Sequence, residues 1–134
     1  MTAPIDSAPD HDFIAVAERF LNTPYLWGGR SAAGVDCSSL VQLALMATGT
    51  LAPRDSDQQE AALGRPLDGG TDAVCHPGDL VFWPGHVGAM IDGEYMIHAS
   101  GHHMMVVIEP LADAIARIAE RAGRPTSVRR LQSQ

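Results

Sequence analysis

Residues 34–41 read Gly-Val-Asp-Cys-Ser-Ser-Leu-Val, and they place a thiol at the start of an apolar helical run. Asp36 is a favourable N-cap residue, so the pattern predicts a helix from about Cys37 to Thr48, with Gly49 ending it. The N–H groups of the first turn and the helix dipole favour an anion there, so we expect the pKa of the Cys37 thiol to fall. A cysteine nucleophile needs a base, which the rest of the chain must supply.

The composition favours one folded domain. The chain has 134 residues, of which 46% are hydrophobic, enough for a single core. Residues 1–11 are polar and acidic, and we expect a flexible tail there, followed by one domain over residues 12–134. The net charge is −7, all nine basic residues are arginines and they form no basic run, which argues against nucleic acid as a partner. Because no apolar run approaches the ~18 residues that a bilayer requires, no membrane insertion is expected.

The order of predicted elements indicates an α+β fold. A first helix, capped by Asp10 or Asp12, is expected to reach Leu21, and a short helix follows Asp55 or Ser56. Further strands and one more helix then follow: strands over residues 79–83, 86–91, 94–99 and 104–108, a helix over 112–122 and a last edge strand over 126–131. Helices that precede a run of strands are typical of helices packed on an antiparallel sheet.

Two histidines flank a predicted hairpin turn at Asp92-Gly93. A loop with an even number of residues would place His86 and His98 on opposite faces of the sheet, whereas an odd loop places them on the same face. We predict a three-residue loop, Ile91-Asp92-Gly93, which pairs Met90 with Glu94 and His86 with His98. Directly opposite side chains have Cβ atoms ~4.5–5.5 Å apart, so one imidazole could act as a base and the other could orient it.

A zinc site is a competing interpretation of the same residues. The potential ligands are Cys37, Cys75, His76, His86, His98, His102 and His103. However, the sequence contains neither CxxC nor HExxH, and Ser100-Gly101 interrupts any helix that would bring His98 and His102 together. We therefore expect no metal and no other cofactor. A Cys37–Cys75 disulfide is arithmetically possible, but it would consume the nucleophile.

Six motifs, taken in order, resemble those of the NlpC/P60 peptidases, small papain-like cysteine peptidases that cut bacterial cell-wall peptides. They are PYLWGG (24–29), GVDCSSLV (34–41), PRDSDQQ (53–59), PGDLVFW (77–83), GHVGAMI (85–91) and MIHAS (96–100). The resemblance implies a papain-like α+β fold, with N-terminal helices packed on a central antiparallel sheet. It also implies hydrolysis of murein peptides through an acyl-enzyme, at the bond between γ-D-glutamate and a diamino acid.

The resemblance also implies roles for individual residues. Cys37 resembles the nucleophile, His86 the general base and His98 the third, orienting member of a triad. Tyr25 resembles a tyrosine whose hydroxyl lies at the site and helps to stabilise the oxyanion. Asp36 resembles a carboxylate that meets the free α-amine of the substrate, and Ser38 is expected to share that contact.

The sequence departs from the family pattern in two respects. Ser39 stands where the family often has glycine, and its side chain is expected to narrow the approach to the second helical turn. Many relatives that recognise the free amine carry SH3-like domains before the catalytic domain, which close one end of the groove. Only about 20 residues precede the first motif here, so the wall would have to come from a missing N-terminal part or from a separate partner.

Other functions remain compatible with these residues. The same triad could transfer an acyl group or hydrolyse another amide, and a peptide-binding pseudoenzyme is a non-catalytic alternative. The N-terminus lacks the basic and apolar regions of a Sec signal peptide, so we expect a cytoplasmic role in peptide recycling or export by another route. An exported effector that attacks a rival's cell wall is therefore also an alternative.

Overall fold

A computed structural model describes residues 9–31, 34–72 and 74–131 of the chain. This part contains the helices α1 (Pro9–Glu18), α2 (Cys37–Ala47), α3 (Ser56–Ala62) and α4 (Leu111–Ala122). Its strands are β1 (Arg30–Ser31), β2 (Gly34–Val35), β3 (Arg65–Pro66), β4 (Leu80–Trp83), β5 (His86–Met90), β6 (Tyr95–Ser100), β7 (Met105–Pro110) and β8 (Ser127–Arg130). No helix within these residues is long and apolar enough to cross a membrane.

The larger sheet has six antiparallel strands in the order β3-β8-β4-β5-β6-β7, and β1 and β2 form a separate two-stranded ribbon. The predicted α+β class is confirmed. The strand predicted over 126–131 is present as β8, but its predicted position at the edge was wrong, because β8 lies between β3 and β4. The two-residue strand β3 is too short to leave a hydrophobic signal in the sequence. Because it pairs with β8, β3 and not β8 is the edge strand of the sheet.

The alternation of side chains along the strands divides the core between the two faces of the sheet. On one face, α1 and α2 pack against residues that include Leu80, Phe82, Val87 and Ile97. On the other face, α4 packs against residues that include Val81, Trp83, Met90 and Met96. Eight of the eleven residues of α2 are buried, which fits its central position: it contacts β5 and β6 as well as α1.

The first helix begins earlier than predicted. Pro9 is its first residue, so Asp10 and Asp12 lie inside the helix and neither is its N-cap. Proline is favourable in a first helical turn because its missing N–H would have no partner there. The predicted boundary between a tail ending at residue 11 and a domain starting at residue 12 therefore falls within α1, and residues 1–8 lie outside the described part.

Candidate active site

Cys37 is the first residue of α2, and a complete capping box holds the helix start. Asp36 Oδ1 accepts the Ser39 N–H at 2.9 Å, and Ser39 Oγ accepts the Asp36 N–H at 3.0 Å. Ser39 Oγ also donates to the Gly29 carbonyl at 2.6 Å. The expectation that Ser39 narrows the approach was wrong, because its side chain is fully buried and points into these contacts. The predicted capping role of Asp36 is confirmed.

The glycine pair before α2 brings the loop close to this cap. Gly28 has a φ of +78° and donates its N–H to Asp36 Oδ2 at 3.1 Å. A Cβ atom at Gly29 would lie 2.6 Å from the Gly34 carbonyl oxygen, so a larger residue there would displace the backbone. The two glycines thus serve different purposes, since Gly28 supplies the positive φ and Gly29 permits the close approach.

Arg54 completes the surroundings of Asp36, and sequence reasoning assigned it no role. Its guanidinium donates to Asp36 Oδ1 at 3.1 Å and to Oδ2 at 2.8 Å, and it also reaches Ser38 Oγ at 2.9 Å. Burial alone would raise the pKa of Asp36. Hydrogen bonds from Arg54 and from the Ser39 and Gly28 N–H groups outweigh it, so the pKa lies below its usual value. The only signal in the sequence was the position of Arg54 inside the PRDSDQQ motif.

The Cys37 thiol is buried, and its residue is 8% exposed. Burial raises its pKa to about 11, and the charge of Asp36 adds to this effect. The backbone N–H groups of Val87, Ser38 and Cys37 itself act in the opposite direction but do not compensate. The prediction that the helix start would lower this pKa was therefore wrong in direction, because desolvation outweighs the helix N-terminus.

The hairpin that carries the two histidines has the predicted odd loop but a different register. Met90 pairs with Met96 and Ala89 with Ile97, and the Ile91 N–H donates to the Tyr95 carbonyl. The loop is therefore residues 92–94 instead of 91–93. Asp92 explains the shift, because its carboxylate accepts the Glu94 and Tyr95 N–H groups and so holds Glu94 within the turn.

In this register His86 and His98 share a face of the sheet, but they are diagonal neighbours and not direct partners. His86 Nε2 and His98 Nδ1 are 2.8 Å apart, and the rings meet edge to face at 79°. Burial lowers the pKa of both imidazoles, that of His86 to about 3, where His98 and the nearby arginines add to the effect. Both rings are therefore neutral at neutral pH. Because His86 Nε2 is engaged with His98, His86 Nδ1 is the nitrogen available to interact with the Cys37 thiol.

A carboxylate lies behind His98, and sequence reasoning missed it. Glu109 Oε2 is 2.6 Å from His98 Nε2, and Arg117 of α4 donates to both carboxylate oxygens at 2.8 and 2.7 Å. Burial opposes ionisation of Glu109, but the hydrogen bonds from Arg117 and His98 hold its pKa well below the usual range. The predicted strand ended at residue 108, one residue short of this carboxylate, although β7 runs to Pro110.

Two clefts meet at Cys37. One, the histidine cleft, has a volume of about 270 Å³ and is lined by residues that include Tyr25, Cys37, His86, His98, Arg117 and Arg121. The other, the aspartate cleft, has a volume of about 400 Å³ and includes Asp36, Cys37, Ser38 and Arg54. Trp27, Cys37 and Gly85 line both. The structure thus gathers the other five predicted site residues around the Cys37 thiol, with Tyr25 and the histidines on one side and Asp36 and Ser38 on the other.

Of the other ligand candidates, His102 lines the histidine cleft and its ring contacts that of His103, whereas Cys75 and His76 line neither cleft. Cys37 and Cys75 are both free thiols. Within the described residues, no group of three or more histidine, cysteine, aspartate or glutamate side chains could hold a metal ion. Cys75 lies in the core cluster beneath α4, on the opposite side of the sheet from α2. Tyr25 is half-buried in the histidine cleft, and burial together with the charges of Cys37 and Asp36 raises the pKa of its hydroxyl.

A sequence model of the NlpC/P60 family matches residues 22–119, nearly three quarters of the chain, including Tyr25, Cys37, both histidines and Glu109. The chain belongs to the NlpC/P60 family. Among solved structures of the family, it is similar to the peptidoglycan hydrolase RipB from Mycobacterium tuberculosis, with 31% identity and a TM-score of 0.75. That similarity covers 92% of this chain and 65% of the other.

Curated relatives of this NlpC/P60 domain come from bacteria. The gamma-D-glutamyl-L-lysine dipeptidyl-peptidase of Bacillus subtilis is 35% identical over 113 residues, covering 78% of this chain and 36% of that protein. The dipeptidyl-peptidase 6 of Lysinibacillus sphaericus is 37% identical over 87 residues, covering 65% and 31%. The chain thus spans about a third of the length of these relatives.

Proposed function

We propose that this NlpC/P60 domain is a cysteine peptidase that hydrolyses murein peptides at the bond between γ-D-glutamate and a diamino acid. The observation that carries the proposal is the arrangement of Cys37, His86 and His98 around one cleft, with the two imidazoles in hydrogen-bond contact. The names of the Bacillus subtilis and Mycobacterium tuberculosis relatives support the same class of substrate.

The protonation states imply general-base catalysis from a neutral pair. Cys37 holds a proton and His86 does not, because burial raises the pKa of the thiol and lowers that of the imidazole. As Sγ attacks the scissile carbonyl carbon, its proton passes to His86 Nδ1. The resulting imidazolium then protonates the leaving amine, which leaves a thioester on Cys37. Water then attacks the thioester and gives a proton to His86, the C–S bond breaks to release the acid, and the imidazolium returns the proton to the Cys37 sulfur.

Two donors are placed to stabilise the oxyanion of the tetrahedral intermediate. The Cys37 N–H lies at the start of α2, where it has no carbonyl partner within the helix. Tyr25 lines the histidine cleft, and its N–H donates to the Met104 carbonyl at 2.9 Å, which anchors its backbone. The raised pKa of the Tyr25 hydroxyl keeps it protonated and thus able to donate.

The aspartate cleft is the proposed site for the acyl part of the substrate, with Asp36 and Ser38 in contact with its free amine. Arg54 already pairs with both carboxylate oxygens of Asp36 and with Ser38 Oγ. The amine therefore has to share these oxygens with Arg54 or displace its guanidinium.

On the other side of Cys37, Arg121 is exposed and makes no hydrogen bond or ion pair with any described residue, so it suits a substrate carboxylate.

A separate partner or an SH3-like domain that covers the open end of the groove is also proposed. Trp27 lines both clefts, yet 82% of its surface is exposed, and the neighbouring Leu26 is 52% exposed. An apolar pair at the edge of a groove suits contact with a peptide substrate or with a second domain.

The experiment that tests the function is incubation with defined muropeptides, with and without a free N-terminal L-alanine, followed by mass spectrometry. We expect cleavage between γ-D-glutamate and the diamino acid, and no cleavage by Cys37→Ala, which keeps the fold. Cys75→Ala is the matched control, because it removes the other buried thiol and should leave cleavage intact. Cleavage by Cys37→Ala at the wild-type rate would rule out the mechanism. Amide formation with an added amine in place of hydrolysis would identify an acyltransferase.

A further inference from the structure

The triad of this chain continues beyond its third member. His98 is 1% exposed, and its Nε2 lies 2.6 Å from Glu109 Oε2 on the neighbouring strand β7. The register of β6 and β7 explains the contact: His98 pairs with Val107, so Glu109 is its diagonal neighbour on the same face. The Glu109 side chain is 11% exposed, and Arg117 covers it from α4 with two parallel hydrogen bonds.

His86, His98, Glu109 and Arg117 form a series of hydrogen bonds. The protonation of its last two members determines where the two histidine rings carry their protons. A guanidinium is permanently charged, and two hydrogen bonds to it keep Glu109 ionised. An ionised carboxylate only accepts hydrogen bonds, so His98 must carry its proton on Nε2. In a neutral ring Nδ1 then holds a lone pair, and it accepts a hydrogen bond from His86 Nε2. The proton of His86 is thereby placed on Nε2, and Nδ1 keeps the lone pair needed for the Cys37 proton.

We propose that Glu109, held by Arg117, is a positioning residue that selects the catalytic tautomer of His86 through His98. The carboxamide of a glutamine at position 109 could turn its N–H group toward His98 Nε2, which would allow His98 to carry its proton on Nδ1 and donate it to His86 Nε2. The proton of His86 would then lie on Nδ1, the nitrogen required as the base. The inference rests on the proposed function only for its effect on turnover, since the tautomers themselves exist in the free protein.

Glu109→Gln tests the inference because it keeps the shape and removes the charge. Nitrogen-15 chemical shifts of the histidines in the wild-type protein should show both rings protonated at Nε2. In Glu109→Gln, we expect a substantial Nδ1–H population in both rings and a fall in kcat of about 10²–10³-fold, with KM changed less than threefold. Glu109→Asp, which retains the charge, should recover part of kcat.

Asp79→Asn is the matched control for a merely structural effect. Asp79 is also buried and accepts two hydrogen bonds from an arginine, Arg130, but it contacts neither histidine ring. This variant should leave kcat and the tautomers of His86 and His98 unchanged. A wild-type His86 protonated at Nδ1 would overturn the inference even if Glu109→Gln did not fold. Folded Glu109→Gln with kcat within threefold of wild type would also overturn it. Failure of the wild type to cleave muropeptides would refute the proposed function, while the nitrogen-15 shifts would still decide the tautomer.

Discussion

At the scale of single residues, the reactivity of this site depends on burial more than on the helix N-terminus. The N–H groups around Cys37 favour a thiolate, but the loss of water around the sulfur outweighs them, so the pKa of the thiol rises to about 11. His86 is buried as well, and its pKa falls to about 3. Both effects favour a neutral thiol and imidazole over an ion pair before substrate binds.

The first prediction concerns alkylation of Cys37 by iodoacetamide in the free protein. Because the reactive species is the thiolate, the rate should rise with pH through neutrality and level off only near pH 11. Mass spectrometry after timed alkylation, with Cys75→Ala removing the second thiol, gives the profile. A plateau that begins below pH 7 would show that a thiolate–imidazolium pair exists instead.

The second prediction separates the two histidines. His86→Ala removes the proposed base and should lower kcat by about 10²–10⁴-fold. His98→Asn should be milder, because the carboxamide oxygen can still accept the His86 Nε2 hydrogen and hold the ring. The measurement is kcat with a defined muropeptide for both variants, after circular dichroism has confirmed their folds. Equal losses in the two variants would contradict these different roles.

At the scale of secondary-structure elements, hydrogen bonds from the surrounding loops fix the first turn of α2. The cap joins the Gly28-Gly29 loop, Asp36 and Ser39, and α3 adds a further tie. Gln59 of α3 is fully buried, and its amide donates to the Ser38 and Pro53 carbonyls at 2.9 Å each. The position of Cys37 therefore depends on three separate segments of the chain.

The third prediction is that Ser39→Ala destabilises the protein by about 1–3 kcal/mol, because it leaves the buried Asp36 N–H and Gly29 carbonyl without the Ser39 hydroxyl. Urea denaturation followed by circular dichroism measures the change. Asp55→Ala is the control, since Asp55 is the N-cap of α3 but makes no side-chain capping hydrogen bond. Similar losses in the two variants would show that the capping box contributes nothing specific.

At the scale of the whole molecule, α4 joins the sheet to the site. Its buried residues Leu111, Ala114 and Ile118 pack on the sheet face opposite α2, and Arg117 on the same helix secures Glu109. His98, 1% exposed, lies between this pair and His86. This part of the fold thus holds two neutral imidazoles and the ionised Glu109 carboxylate, and all three must take up protons in acid.

The fourth prediction is that stability falls as the pH decreases. The folded-state pKa values of His86 and His98 lie below the usual 6.5, so the unfolded chain binds more protons in acid. The stability that these residues contribute is complete above pH 6.5 and is lost progressively toward pH 3 for His86. Glu109, whose pKa is also lowered, adds a loss below about pH 4.5.

The midpoint of urea denaturation, measured at several pH values between 7 and 4, gives the slope of stability against pH. His98→Asn, which removes one of the two imidazoles, should make the slope shallower, whereas His76→Ala at an exposed position should not. A midpoint that is constant from pH 7 to pH 4 would contradict the buried, neutral state of the histidines.

The sequence by itself determined the features that depend on neighbouring residues. The cap at Asp36, the start of α2 at Cys37 and the odd hairpin loop all follow from local hydrogen bonding and side-chain periodicity. Six ordered motifs were enough to indicate the family. The exact register was not predictable from the Asp92-Gly93 pair, because the Asp92 carboxylate could close turns of different length.

Only the tertiary structure decided the features that depend on distant residues and on water. Arg54 reaches Asp36 across 18 residues, and Glu109 meets His98 and Arg117 through a strand register and a helix packing that no local pattern specifies. The direction of the Cys37 pKa shift was decided in the same way. Desolvation depends on how completely the folded chain covers a group, and that coverage is a property of the whole packing arrangement.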